Sequence, residues 1–328
     1  MKFKAHSIDD LLIDVYDHIL NYGVENYARK GKNLEVQGCE LILSNPTCRV
    51  SRSETRGLIF SCLGELFWYL SGSNDVEPIE FYLPMYKTFC EDNGKVHGGY
   101  GKRLFSMHDQ YDQVARVIEQ LKDRPSTRQA VIQLFDSSDL SFNYKDIPCT
   151  LNLQFTIRNN KLYMFTMMRS NDAYVGLPHD VFVFTMLQEL IASELGYQLG
   201  DYHHYVVSLH LYENNLPEAR AFINEGYMLH ESIMQPMPSK SYSAILNEIL
   251  FYEQKIRQGE DVDFESVPTL PPYWKDILRL LLFYAQTKKG GIGDLRDALS
   301  TKKSIENPNF QTLIEKRTRT HLNEEPKT

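Results

Sequence analysis

A long apolar segment at residues 181–195 constrains the fold more than any other part of the sequence. It reads as a helix with apolar side chains on nearly every face, and a helix of that kind is buried on most sides. Strand-like segments precede and follow it. The sequence therefore predicts a helix enclosed by a fold that combines helices with strands.

A β-hairpin is predicted just before this helix. Apolar and polar side chains alternate over residues 151–157, a turn follows at 158–161, and a second strand covers 162–168. A turn in that position brings Cys149 roughly opposite Ser170.

Cys149 is a candidate nucleophile because of where it lies. It follows Pro148 at the mouth of the hairpin, and Arg169 ends the paired strand. A nearby arginine would lower the pKa of the thiol and favour the reactive thiolate. The alternative, a buried structural cysteine, remains open.

Periodicity predicts the remaining elements. They are amphipathic helices at residues 8–28, 53–71 (with Ser53 as N-cap), 109–122, 244–256 and 273–287, strands at 34–43, 129–135 and 200–212, and a polar, frayed stretch over the last 30 residues.

Composition narrows the classes of function. The net charge of −8 argues against a general nucleic-acid binder, although a few arginines could still hold one phosphate. The first residues lack the apolar core of a signal peptide, and no run of 18 apolar residues suggests a membrane span. Five scattered cysteines form no CxxC pair and no zinc-type spacing, so we expect a reduced, cytoplasmic protein without a metal.

Three polar residues within apolar patterns are further candidates. Glu65 lies inside an apolar helical segment, so its carboxylate is either turned to solvent or held in a cleft. His210 and Tyr212 share one face of a strand, where they could bind a sugar hydroxyl or form a satisfied core pair. The Gly-rich loop at residues 91–103 has neither P-loop nor Rossmann spacing.

Several motifs, in the same order, resemble the thymidylate synthase family from about residue 10 to 218. They are Glu65-Leu-Phe-Trp68, Asn93-Gly94, Tyr100-Gly-Lys102, Pro148-Cys149, Arg169-Ser170-x-Asp172, Gly176-Leu-Pro178, Gly200-Asp201 and His210-x-Tyr212. The resemblance implies an α/β (α+β) fold with a large mixed sheet covered by helices. It also implies a catalytic domain at 1–218, a helical extension with a polar tail at 219–328, and a homodimer formed through the sheet.

The resemblance also implies a pyrimidine nucleoside monophosphate and 5,10-methylenetetrahydrofolate as substrates. On the matching positions, the resemblance implies that Cys149 is the nucleophile and that Glu65 and Tyr100 handle protons. The phosphate would be bound by Arg169, Ser170, one of Arg29 and Lys30, and Arg128 reaching across the dimer. His210 and Tyr212 would bind the sugar, and Asp172, Tyr86 and Gly176 would contact the folate. Where the family usually has a second arginine beside Arg128, this chain has Gln129. The family's short C-terminal segment that closes the site is not recognisable.

Asp180 departs from the family pattern. Thymidylate synthases carry an asparagine there that pairs with N3–H and O4 of uracil, whereas a carboxylate can accept from the N4 amino group of cytosine. The departure resembles the deoxycytidylate hydroxymethylases, as do the strings Met168–Asp172 and Ser208–Tyr212. The alternative is that Asp180 caps the following helix.

These features predict a cytidylate 5-hydroxymethyltransferase, in which water adds to the transferred one-carbon unit. Ser170 favours dCMP over CMP as substrate. Two alternatives stay open: a thymidylate synthase that methylates dUMP, and a non-catalytic protein that binds nucleotides or partners.

Overall fold

A computed structural model describes residues 1–51, 53, 58–227, 233–238, 242–264, 266–288, 295–315 and 317–319. The strands are β1 (Lys2–Ala5), β2 (Val24–Ala28), β3 (Gly31–Leu43), β4 (Val131–Gln133), β5 (Thr150–Arg158), β6 (Lys161–Asp172) and β7 (Gln198–Tyr212). The α-helices are α1 (Ile8–Tyr22), α2 (Ile59–Leu70), α3 (Val76–Tyr82), α4 (Tyr100–Phe105), α5 (Gln113–Asp123), α6 (Gly176–Leu195), α7 (Leu216–Asn224), α8 (Tyr242–Gln258), α9 (Pro272–Thr287), α10 (Leu295–Ser304) and α11 (Pro308–Leu313).

The strands form one mixed sheet in the order β1-β3-β7-β6-β5-β4, with β2 also paired to β3. β1 with β3 and β6 with β7 are parallel, and the other pairs are antiparallel. Helices cover this sheet, as the resemblance implied, and the predicted mixed α/β architecture is confirmed.

The enclosed helix is α6, and its burial is confirmed: every side chain from Val181 to Ala192 is buried. It starts at Gly176, five residues earlier than the apolar pattern suggested. The Asp172 carboxylate explains this start, because it accepts hydrogen bonds from the backbone N–H groups of Tyr174 (2.9 Å) and Val175 (3.0 Å). Asp180 therefore lies inside the helix, and the interpretation of Asp180 as an N-cap is wrong.

The structure confirms the hairpin, but the pairing of its strands is shifted by one position from the expected pairing. Asn159 and Asn160 adopt positive φ values of 50° and 61°, the conformation that a tight two-residue turn requires. Thr150 pairs with Met168, so Cys149 lies beside Arg169 rather than Ser170.

Two predicted helix boundaries are wrong. The helix expected over 8–28 ends at Tyr22, because the next residues pair with β3 as strand β2. The helix expected over 53–71 starts at Ile59 after Leu58, and Ser53 instead donates to Glu225 (2.8 Å). Residues 52 and 54–57 of that region lie outside the described residues.

The C-terminal region is more ordered than its polar composition suggested. α8 and α9 pack against α2, and α10 packs against α9. Phe310 and Ile314, within the stretch expected to be frayed, are buried. Residues 316 and 320–328 of that stretch lie outside the described residues, and a domain division at residue 218 remains a prediction.

A buried ion pair joins the region after β3 to α6. Arg49 and Glu189 are almost fully buried and hydrogen-bonded to each other, and Glu189 also accepts from the backbone N–H of Met237 (2.9 Å). The pair thus links α6 to the chain that leads into the C-terminal helices.

Arg49→Met is expected to lower the free energy of unfolding by about 3–5 kcal/mol, because it leaves the Glu189 carboxylate buried without its counter-ion. Urea denaturation measures the change. Lys4→Met, which removes only the exposed pair with Asp201 (3.0 Å), is the control and should cost under about 1 kcal/mol. Equal losses in the two variants would contradict this account.

Candidate active site

A pocket of about 460 Å³ opens where the carboxyl-terminal end of β6 meets the start of α6. This volume is in the range that suits a small-molecule ligand. Among the residues that line the pocket are thirteen of those predicted from the sequence: Arg29, Lys30, Glu65, Tyr86, Tyr100, Cys149, Arg169, Ser170, Asp172, Gly176, Asp180, His210 and Tyr212.

Arg128 is the one predicted residue that the structure does not bring to the pocket. Its side chain is exposed, and its backbone carbonyl accepts from Gln154 (3.1 Å). The pocket of one chain is therefore formed without Arg128, and the reach of Arg128 into a partner subunit remains a prediction.

Cys149 is held in the pocket wall by Arg169. The backbone N–H of Arg169 donates to the Cys149 carbonyl (2.9 Å), and its guanidinium donates to the carbonyls of Pro148 (2.9 Å) and Ile147 (2.9 Å). Arg169 therefore fixes the loop that presents the thiol.

The positive charge of Arg169 lowers the pKa of the Cys149 thiol, as expected, but it is not the largest influence on that pKa. Burial raises the pKa of the Cys149 thiol, and the positive charge of Arg169 offsets this only in part. The carboxylates of Asp146 and Asp180 raise this pKa further. The resting nucleophile is thus a protonated thiol.

Asp146 is a pocket residue that sequence reasoning missed. Burial raises its pKa, against the opposing charges of Lys30 and Arg169. One carboxylate oxygen lies so close to Gly98 that a Cβ added there would be 2.2 Å away. The signal available was its position three residues before Cys149.

The reactivity of Cys149 should report this electrostatic environment. Because its pKa is raised, its alkylation by iodoacetamide should be slow at neutral pH and still be rising at about pH 9. Asp146→Asn removes a negative charge, lowers that pKa and should speed alkylation at pH 8 about three- to tenfold.

Peptide mapping follows Cys149 separately, and Cys90, which lies outside the pocket lining, serves as the internal reference. Alkylation of Cys149 that is already maximal at pH 7 would show that Arg169 prevails.

Glu65 lies in the cleft and is buried, which resolves the choice left by the sequence. The hydroxyl groups of Tyr86 and Tyr69 (3.2 Å) donate to the same carboxylate oxygen. Two donors hold the carboxylate in place, and one of them, Tyr86, is a residue predicted to contact the folate. Glu65 is therefore fixed in a position from which it can order a water or exchange a proton.

Asp180 faces the same space from α6. The side-chain amide of Asn171 donates to its Oδ2 atom (2.7 Å). Burial raises the pKa of Asp180 well above its ordinary range, and the nearby carboxylate of Glu65 raises it further. A protonated, neutral Asp180 can present both a donor and an acceptor to a ligand.

Tyr100 contacts both the chain next to Cys149 and helix α6. Its hydroxyl oxygen accepts from the backbone N–H of Thr150 (2.9 Å), next to Cys149, and its ring stacks on Phe184 of α6. The hydroxyl proton is directed away from that bond, so Tyr100 can still donate inside the pocket.

His210 and Tyr212 lie at the end of β7 with their rings in edge contact, 5.0 Å apart. Both line the pocket, so the core-pair alternative is wrong. Burial lowers the pKa of His210, although Asp172, its neighbour across β6 and β7, acts in the opposite direction. A neutral imidazole and a phenol suit hydroxyl recognition.

Both N-terminal basic candidates reach the pocket. Arg29 donates to the Lys145 carbonyl (3.0 Å), and the Lys30 ammonium lies over the Phe89 ring (4.9 Å). With Lys145 and Arg169 they give the pocket lining four cationic residues. On the apolar side, the rings of Trp68, Tyr86 and Phe89 form a wall that would suit a flat ring such as a pterin.

Over the described ranges of the chain, no group of three or more His, Cys, Asp or Glu side chains could hold a metal ion. None of the helices there is long and apolar enough to cross a membrane.

Comparison with known proteins identifies the class. A family model described as thymidylate synthase matches residues 12–238, which is more than half of the 328 residues. The protein is therefore, by class, a thymidylate synthase-like one-carbon transferase. It belongs to the thymidylate synthase family, and the resemblance seen in the sequence is confirmed.

Two similar relatives come from bacteriophages, and both are described as deoxyuridylate hydroxymethyltransferases. The protein of Delftia phage PhiW-14 is 29% identical over 304 residues, which cover 83% of this chain and 84% of the relative. The protein of Bacillus phage SP01 is 27% identical over 277 residues, which cover 75% of this chain and 71% of the relative.

Proposed function

We propose that this protein hydroxymethylates C5 of a cytidine monophosphate, with dCMP preferred to CMP, using 5,10-methylenetetrahydrofolate and water. The observation that carries the proposal is the half-buried Asp180 inside the pocket, with a raised pKa and one oxygen held by Asn171. Cytosine presents an acceptor at N3 and a donor at N4, and a neutral carboxyl group matches both.

Cys149 starts the reaction. Its thiolate adds to C6 of cytosine, the C5–C6 double bond opens, and C5 becomes nucleophilic. The thiol gives up its proton to a base as it attacks, and the positive charge of Arg169 favours the thiolate.

The remaining steps transfer the one-carbon unit to C5, add water to it and release the product. C5 attacks the methylene carbon of the folate and breaks its bond to N10, which takes up a proton. C5 then loses its own proton, and tetrahydrofolate departs with the electron pair of the bond from the methylene carbon to N5. Water then adds to the exocyclic methylene group, and its proton passes to a base. Expulsion of Cys149 from C6 restores the double bond and frees 5-hydroxymethylcytidylate.

Glu65 and Tyr100 are proposed to handle the protons. Tyr86 and Tyr69 hold Glu65, and the Glu65 carboxylate is close enough to Asp180 to raise the pKa of Asp180. A water bound between Glu65 and Asp180 would be ordered against the pyrimidine ring. Tyr100 is fixed next to Cys149 through Thr150, where it can exchange a proton near C5 and C6.

The other substrate contacts are proposed from where the residues lie in the pocket. Arg169, Ser170 and one of Arg29 and Lys30 would bind the phosphate, and the same pair of cations lies on the open side of the pocket. His210 and Tyr212 would bind the sugar hydroxyl. For the folate, Asp172, Gly176 and Tyr86 would provide contacts. Arg128 would complete the phosphate site of a partner subunit in a homodimer.

A second candidate is hydroxymethylation of dUMP, which the descriptions of both phage relatives favour. Uracil presents N3–H and O4, the reverse of cytosine, so an ionised Asp180 would meet N3–H while O4 faced a second carboxylate oxygen. The raised pKa of Asp180 argues for cytosine.

The test is tritium release from [5-³H]dCMP, [5-³H]CMP and [5-³H]dUMP, each with methylenetetrahydrofolate, followed by mass analysis of the product. We expect release from a cytidylate, fastest from dCMP, and a product heavier by CH₂O. Release from dUMP alone would overturn the base assignment, and a product heavier by CH₂ would show methylation instead.

A further inference from the structure

Asn171 is a pocket residue to which the family resemblance gives no role, and the proposed function uses it only to hold one oxygen of Asp180. It lies on β6 between Ser170 and Asp172, and its side chain is buried. Its Nδ2 atom donates to Oδ2 of Asp180 at 2.7 Å, a short and well-formed contact. Its Oδ1 atom is buried and has no hydrogen-bond partner among the described residues.

The space around this contact is tight. A Cβ added to Gly176 would lie 3.2 Å from Nδ2 of Asn171 and 3.6 Å from Oδ2 of Asp180. A glycine at the start of α6 therefore lets the amide approach the carboxyl group.

The amide decides which oxygen of Asp180 can carry a proton. An NH₂ group donates hydrogen bonds and cannot accept them, so the oxygen it faces must be an acceptor. When the carboxyl group is protonated, its proton therefore belongs on Oδ1. Burial and the charges of Glu65 and Asp172 favour this neutral form by raising the Asp180 pKa.

We propose that Asn171 is a positioning residue that makes Asp180 a donor through Oδ1 and an acceptor through Oδ2, and so sets the preference for cytosine over uracil. The inference rests on the proposed function. Cytosine N3 accepts from Oδ1–H, and its N4 amino group donates to Oδ2. Uracil meets the same group with two repulsive contacts, N3–H against Oδ1–H and O4 against Oδ2.

The test compares Asn171 variants by kcat/KM for tritium release from dCMP and from dUMP. Asn171→Leu removes the donor and should reduce the dCMP:dUMP ratio at least about tenfold, since one matched pair of base contacts discriminates by that much or more. Asn171→Asp keeps the shape and replaces the donor by an acceptor. The proton then moves to Oδ2, Oδ1 becomes an acceptor that fits uracil N3–H, and the ratio should fall further.

Asn21→Leu is the matched control, because it also removes an amide-to-carboxylate bond, from Asn21 to Asp17 (3.0 Å), but on the exposed surface of α1. Its ratio should equal that of the wild type. Asn171→Asp, isosteric with the wild type, keeps the test decisive where Asn171→Leu does not fold.

The outcomes separate the two proposals. A wild-type enzyme that prefers dUMP overturns the proposed function, and the inference falls with it. A wild-type enzyme that prefers dCMP, with an unchanged ratio in the folded Asn171 variants, overturns the inference alone. A lowered ratio in both variants, with an unchanged ratio in Asn21→Leu, supports it.

Discussion

Cys149→Ala is expected to abolish tritium release from the nucleotide, with a loss of roughly three orders of magnitude or more. The reaction needs a covalent bond at C6, because C5 of the pyrimidine is not nucleophilic without it. Alanine removes that bond while the base, sugar and phosphate contacts remain. Nucleotide affinity should therefore change by less than about tenfold.

Release assays and calorimetric titration with dCMP check the two parts of this prediction. Cys90→Ala is the control, since Cys90 is half-buried and lies outside the pocket lining. A Cys149→Ala variant that keeps its activity within tenfold would favour a mechanism without a thiol adduct. Wild-type protein that binds nucleotide and never releases tritium would favour the non-catalytic alternative.

Asp180→Asn in an Asn171→Asp background is expected to exchange the preferred base. The Asn171 amide donates to Oδ2 of Asp180, so Asp180→Asn alone would keep its oxygen there and still match cytosine. With a carboxylate at position 171, the new amide turns its NH₂ group to O4 and its oxygen to N3–H, so it fits uracil and opposes cytosine. The ratio of kcat/KM for dCMP to that for dUMP should fall by about two orders of magnitude or more, with dUMP becoming the better substrate.

The matched control is Asp201→Asn, which makes the same chemical change at a carboxylate paired with Lys4 (3.0 Å), outside the pocket lining. Its ratio should not change. A double variant that still prefers dCMP would show that the base is recognised by another group.

The sequence predicted the parts of the site that local patterns encode. Alternation and the Asn159-Asn160 turn define the hairpin, and this places Cys149 beside Arg169 to within one residue. The apolar run after Asp180 defines the buried helix. Because the helix and the hairpin are adjacent in the chain, their junction could be recognised as the centre of the site.

Contacts between distant segments could not be predicted in this way. The bond from Tyr86 to Glu65 joins residues 21 positions apart, and its formation depends on how the chain packs after α3. The start of α6 depends on one hydrogen-bonding carboxylate, Asp172, and not on hydrophobic periodicity. The pKa of Cys149 depends on burial, which no neighbouring residue reveals.

The C-terminal helices illustrate the same limit. Their amphipathic patterns predicted α8 and α9, but not the surface against which they pack. That surface is α2, the helix that carries Glu65. Tyr82 of α3 also donates to Glu253 of α8 (2.9 Å). The extension therefore supports the wall of the pocket from outside.

The central claim is that Cys149 forms a folate-dependent adduct with a cytosine nucleotide, and 5-fluoro-dCMP tests it most directly. Fluorine at C5 cannot leave as a proton does, so the complex should stall after C5 has bonded to the folate methylene group. Intact mass analysis should show a gain of one nucleotide plus one methylenetetrahydrofolate, and peptide mapping should place it on Cys149. Such an adduct with 5-fluoro-dUMP alone, or at another residue, would contradict the account.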